Sequence, residues 1–175
     1  MAWNLNRIIS VGRQVYRVVQ QVQRSQQRRG SGGSGVGPEG QVLDYPGDFH
    51  GQAPVEYAPV PGPEAGPGEV VWTWVPFEEL DGRGKDRPVL ILGHQGRFLL
   101  AAQLTTRDRN NASRRDDDYM DIGAGPWDSK GRPSEVKLDR ILQVNPRDVR
   151  REGGVLDEQV FDRVAERLRQ AHGWS

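Results

Sequence analysis

Between Glu69 and Ser175, short strand-like segments follow one another too closely for helical crossovers between them, and one helix closes the chain. EVVWTWV (69–75) alternates, with Val70, Trp72 and Trp74 on one face and Val71, Thr73 and Val75 on the other. PVLILG (88–93) is a continuous apolar run, the signature of a strand buried on both sides. GHQG predicts a hairpin turn into RFLLAAQL (97–104). YMDIG (119–123) and SEVKLDRILQV (134–144) give two more strands around the Gly-rich GAGPWDSKGRP, and Asn145-Pro146 ends the last. Asp157 is a helix N-cap with Leu156 stapling onto Phe161, and Val160, Phe161, Val164 and Leu168 form a buried face. About five strands and a terminal helix predict a mainly β fold, a small antiparallel barrel with one packed helix.

The rest of the chain is physically different. Residues 1–29 read as a basic amphipathic helix with a heptad seam of Ile8, Val11, Val15, Val18 and Val22. Residues 1–30 hold six Arg and no acid, whereas 31–68 hold five acids and no Lys or Arg. Residues 30–67, rich in Gly, Ser and Pro, read as a flexible acidic linker, ordered only where Tyr and Phe find a groove. That leaves 68–175 as the barrel domain. The basic helix is expected to fold back on the domain or face a protein partner; contact of residues 1–29 with an anionic membrane is the less favoured alternative.

Several function classes are excluded by residue type. With no Cys, thiol catalysis, Fe–S clusters and Cys-ligated zinc have no ligands, and the three His (50, 94, 172) are scattered. Asp116, Asp117 and Asp118 read as a solvated run rather than a cation site, so neither metal nor cofactor is expected. GSGGSG lacks the flanking strand and helix of a nucleotide loop, and no GxSxG elbow or Walker loop is present. No apolar run is long enough to span a bilayer and no secretory leader pattern opens the chain, which predicts a cytoplasmic protein.

One cluster does suggest chemistry. GRGKDRPVL places Arg83, Lys85 and Arg87 at alternating positions at the entrance of the buried strand, an electropositive spot of phosphate size. The following strand ends in Thr105-Thr106. If the two strands form a hairpin, Pro88 lies near Leu104, and Arg87 and the threonines reach the same edge.

These residues carry a resemblance. GEVVWTWVPFEELDGRGKDRPVLIL followed by LLAAQLTT resembles the MazF/PemK family of toxin ribonucleases, and YMDIG, SEVKLDRILQVNPRDV and VLDEQVFDRVAERL resemble its later strands and closing helix. The similarity spans roughly 68–172, with the N-terminal extension outside it. It implies an SH3-like barrel that forms a homodimer, cuts single-stranded RNA without metal, and is held in check by a cognate antitoxin. Arg87 matches the family's active-site Arg in its R-P motif, and Thr105 or Thr106 its hydroxyl residue. The family's loop acid falls at about Gly82 here, so Glu78, Glu79 and Asp81 are the nearest carboxylates, with Glu79 and Asp81 the candidate general bases. RNA contacts are expected from Arg83, Lys85, Arg97, Lys137 and Arg140. Residues 69–175 carry a slight excess of acid, so any RNA groove has to be locally basic. The competing reading is a barrel of the same fold that binds DNA, RNA or a protein without cutting.

Overall fold

A computed structural model describes residues 45–60, 64–109 and 117–175. The expectations for residues 1–29, for the Gly/Ser stretch and for Asp116 lie outside them. Seven antiparallel strands form the body: β1 (Glu69–Pro76), β2 (Gly84–Gln95), β3 (Phe98–Thr105), β4 (Tyr119–Gly123), β5 (Ser134–Lys137), β6 (Leu142–Val144) and β7 (Arg150–Val155). One helix, α1 (Glu158–His172), follows. The strand order is β4-β5-β3-β2-β1-β7, with β6 also paired to β3. Pro126, between β4 and β5, sits against Gly154 of β7, so the two ends of the strand order meet and the sheet curls on itself. This is the mainly β fold with one C-terminal helix that the segment spacing predicts. Among the described residues no helix is long and apolar enough to cross a membrane.

The apolar run 89–92 is fully buried because both faces of the sheet are covered. On one face Val70, Leu90, Leu92 and Leu100 pack with Phe161, Val164 and Leu168 of α1. On the other, Val71, Val89, Ile91, Leu99 and Leu142 form a second cluster. Asp157 caps α1 by accepting from the amides of Gln159 (3.0 Å) and Val160 (3.3 Å), satisfying donors that the first helical turn leaves open.

Three details differ from the sequence reading. The hairpin turn is Gly96-Arg97 alone, with Gln95 paired to Phe98 and Gly96 at φ 56°, the glycine-first pattern of a two-residue loop. SEVKLDRILQV is two strands, not one. Its β5 part pairs with the end of β3 (Leu104, Thr105) and its β6 part with the start (Leu99–Ala101). The corner between them lets Lys137 pair with Glu78 and Asp139, and Arg140 with Asp48. The seventh strand, RREGGV, is charged and Gly-rich, yet it adds to the outer side of β1 through Glu69–Val155 and Trp72–Arg150 pairs.

The segment read as linker up to residue 67 is packed from Tyr45 onward where it is described. Ala53, Val55 and Ala65 are buried. Phe49 meets Trp174 edge to face at 5.9 Å, and Tyr57 lies on Phe161 and donates to the Leu156 carbonyl at 2.9 Å. The amide of Val55 bonds the carbonyl of Ser175 at 2.8 Å, tying the arm to the C-terminus. The aromatics that break up this Pro-rich stretch are its anchors.

Candidate functional site

The β2–β3 ladder runs from Gln95–Phe98 to Val89–Gln103 and ends there. Below it, β2 (84–88) stays with β1, while β3 passes to β5 at Leu104 and Thr105. A cavity of about 430 Å³ at this fork has Lys85, Arg87, Gln103, Thr105 and Thr106 in its walls. Trp72, Tyr119 and Trp127 supply aromatic surface, and Arg107 and Arg109 reach it from the segment after β3.

Each wall residue is set by its strand. Arg87 is half-buried opposite Thr73 of β1, whose hydroxyl is fixed by donating to the Asp148 carbonyl at 3.0 Å. Thr105 is half-buried opposite Glu135. Its Oγ1 accepts from the Arg107 amide at 3.1 Å, which leaves the hydroxyl proton free to donate elsewhere. Thr106 is exposed and forms no comparable bond among the described residues. The carboxylate of buried Glu135 accepts from the Arg109 amide at 3.0 and 3.1 Å, pinning the chain as it leaves β3.

The cavity has two acids, both matched by arginine. Asp86 receives Arg150 Nη2 at 2.5 Å, across β1. Asp128 receives the Arg132 Nη2, amide and Nε at 2.7, 2.8 and 3.2 Å. The Arg132 side chain and then its amide hold the Asp128 carboxyl down at about 2, so it is a fixed anion and a feeble base. Beside this clasp, Trp127 lies over Gly125 and donates to Ser134 Oγ at 3.1 Å. None of Lys85, Arg87, Arg107 and Arg109 forms an ion pair with a described carboxylate. Their charge is therefore available to an anionic ligand. No group of three His, Asp or Glu suited to a metal occurs among the described residues.

The structure brings together Arg87, Thr105 and Thr106, as the hairpin argument expects, and Lys85 borders the same cavity. It does not bring in the other candidates. Arg83 pairs with Asp81 at 2.6 Å in the exposed β1–β2 loop. Arg97 stands over Phe98 at the far hairpin end. Lys137 is buried and paired with Glu78, and Arg140 is buried against Asp48 (2.9 Å) and the Pro76 carbonyl (2.8 Å). Those two cations fasten the loop and the arm to the barrel. Glu79 and Asp81 stand outside the cavity walls, so neither expected base borders it. The sequence reading missed Asp86, Gln103, Tyr119, Trp127 and the Asp128–Arg132 clasp. Of these, only the Asp-x-x-x-Arg spacing and the lone amide within FLLAAQLT were visible as signals.

Fold and site thus define a small antiparallel barrel with a cationic, aromatic-walled cleft at the fork of its central strands. The model of PemK-like, MazF-like toxins of type II toxin–antitoxin systems matches residues 66–172, and the chain belongs to that family. No curated protein matches the chain significantly.

Proposed function

We propose that the barrel is a metal-independent endoribonuclease that cuts single-stranded RNA and is neutralised by a cognate antitoxin in the cytoplasm. The observation that carries this is the convergence of Arg87 and Thr105, from the two prongs of the fork, on one cavity with uncompensated positive charge. In the proposed reaction the RNA 2′-oxygen attacks its own phosphorus. The O2′–P bond forms as the 2′-hydroxyl gives its proton to solvent, and the P–O5′ bond breaks as O5′ takes a proton from solvent, giving a cyclic phosphate and a 5′-hydroxyl. Arg87, a permanent cation with five planar donors, stabilises the charge that gathers on the five-coordinate phosphorus. Thr105 adds a neutral O–H donor. Asp86 and Asp128 are both engaged by arginine, which favours transition-state electrostatics over a strong carboxylate base as the main source of rate.

The test is incubation of the full chain with single-stranded RNA in excess chelator, followed by analysis of the ends. Cyclic phosphate and 5′-hydroxyl ends, absent with Arg87→Ala, are expected. Stoichiometric RNA binding with no cleavage establishes the alternative, a binding barrel, which the lack of an acid at Gly82 favours.

A further inference from the structure

Gln103 is the one polar side chain before the terminal Thr105 in a strand that is otherwise apolar, FLLAAQLT. It stands opposite Val89, where the β2–β3 ladder ends, and so occupies the apex of the fork. It is half-buried, borders the cavity, and its carboxamide has no hydrogen-bond partner among the described residues. Its polar atoms are not among those buried without a partner, so they are open to solvent, and a ligand can reach the donors and the acceptor without breaking a protein hydrogen bond.

Its neighbours define which part of a ligand it meets. Arg87 and Thr105 provide for an anion on either side of the fork. Trp72 and Tyr119 border the same cavity and offer π-faces on which a nucleobase stacks. About 430 Å³ is of the size that holds one nucleotide. A carboxamide presents a donor and an acceptor side by side, the pattern that reads a base edge bidentately. Phosphate, by contrast, is already served by unpaired cations.

Resting on the ribonuclease reading for its substrate, we propose that Gln103 is a specificity-determining residue: it hydrogen-bonds the edge of the RNA base seated beside the scissile phosphate. The sequence preference of this chain at that position then depends on an amide in β3.

The experiment uses the full chain and a randomised single-stranded RNA pool with 2′-fluoro groups, which can be bound but cannot attack their own phosphate. Parent, Gln103→Leu and Gln103→Glu are compared by sequencing the bound fraction, with circular dichroism as a control for folding. The parent is expected to enrich one base at one position by about 5–150-fold, the worth of a bidentate contact. Gln103→Leu abolishes that enrichment and weakens binding of the preferred sequences by the same factor. Gln103→Glu, with two acceptors, shifts it toward guanine, whose edge offers two donors. Equal enrichment in parent and Gln103→Leu, no preference in the parent, or no binding of the pool overturns the proposal. Cleavage of the matching 2′-hydroxyl pool is read in parallel. Uncut RNA with a Gln103-dependent preference refutes the nuclease reading alone, and cut RNA with an unchanged preference refutes this inference alone.

Discussion

Arg87 and Thr105 reach the cavity through separate strand pairings, Arg87 opposite Thr73 and Thr105 opposite Glu135, so each has its own expected mutational effect. Arg87→Ala leaves the Thr73–Arg87 backbone pairing intact, so the variant is expected to fold, with a melting temperature within a few degrees of the parent and no RNA cleavage above background. An active, folded Arg87→Ala protein removes it from catalysis. The two threonines separate by geometry. Thr105→Val deletes the donor and is expected to lower the cleavage rate by about 10²–10³. It also loses the Arg107 amide bond, worth about 1 kcal/mol. Thr106→Val is expected to change the rate by less than tenfold, because the Thr106 side chain is exposed and lacks that anchor. Single-turnover rates on one defined RNA decide between them. The sequence could place Arg87 and the threonine pair at one edge because alternation and a hairpin turn suffice for that. It could not choose between Thr105 and Thr106, which depends on one backbone amide two residues on. Nor could it exclude Glu79 and Asp81, since their distance from the cavity follows from the path of a loop with no periodicity.

At the scale of elements, the arm was the least legible part. A Pro-rich, acidic segment reads as a flexible linker; what composition hides is that chain outside helix and strand can still pack against a barrel, as Ala53, Val55 and Ala65 do. Tyr45 donates to Asp48, and Arg140 Nε donates to the same carboxylate at 2.9 Å while its Nη1 reaches the Pro76 carbonyl. Burial pushes the Asp48 carboxyl up, but the bonds from Arg140 and Tyr45 outweigh it and leave it below the usual range. A lowered carboxyl contributes stability above its unfolded value, about 3.9, and loses it as pH falls further. Burial, then Asp48, raises the Tyr45 phenol well above its ordinary value of about 10. That contribution is complete below pH of about 10 and is lost as pH rises beyond it. The arm is therefore expected to hold best between these limits. Thermal melts should show Asp48→Asn flattening the acid-side loss relative to the parent; an unchanged acid limb disproves the clamp. The strand RREGGV was also illegible, because an outer strand beside β1 needs backbone pairing more than apolar side chains. Helix α1 was legible to its cap. Asp157→Ala is expected to cost about 1 kcal/mol in denaturant unfolding.

At the scale of the whole molecule, the formal charge of the chain is zero, and the barrel is attractive to a polyanion only where its charges are left uncompensated. The sequence showed the family across nearly the whole matched span, since strand order and the R-P and Thr-Thr motifs are local. It could not show which cations are spent internally. Lys137, Arg140, Arg83, Arg132 and Arg150 each face a carboxylate, and of the five residues first expected to touch RNA only Lys85 borders the cavity. If binding came from diffuse basic character, any surface lysine or arginine would matter equally. If it comes from the fork, the salt dependence reports a small, fixed set. For single strands the slope of log affinity against log salt is about −0.7 per neutralised phosphate, so engagement of Lys85, Arg87, Arg107 and Arg109 gives a slope of about −3. Lys85→Ala is expected to make that slope shallower by about 0.7, with a uniform loss across RNA sequences, as the proposed contact to phosphate and not base requires. Arg97→Ala, at the opposite end of the β2–β3 hairpin, is expected to leave it unchanged. Titration of a short 2′-fluoro RNA between 50 and 200 mM salt measures all three proteins. Equal losses in Lys85→Ala and Arg97→Ala would place the RNA path across the hairpin rather than through the fork.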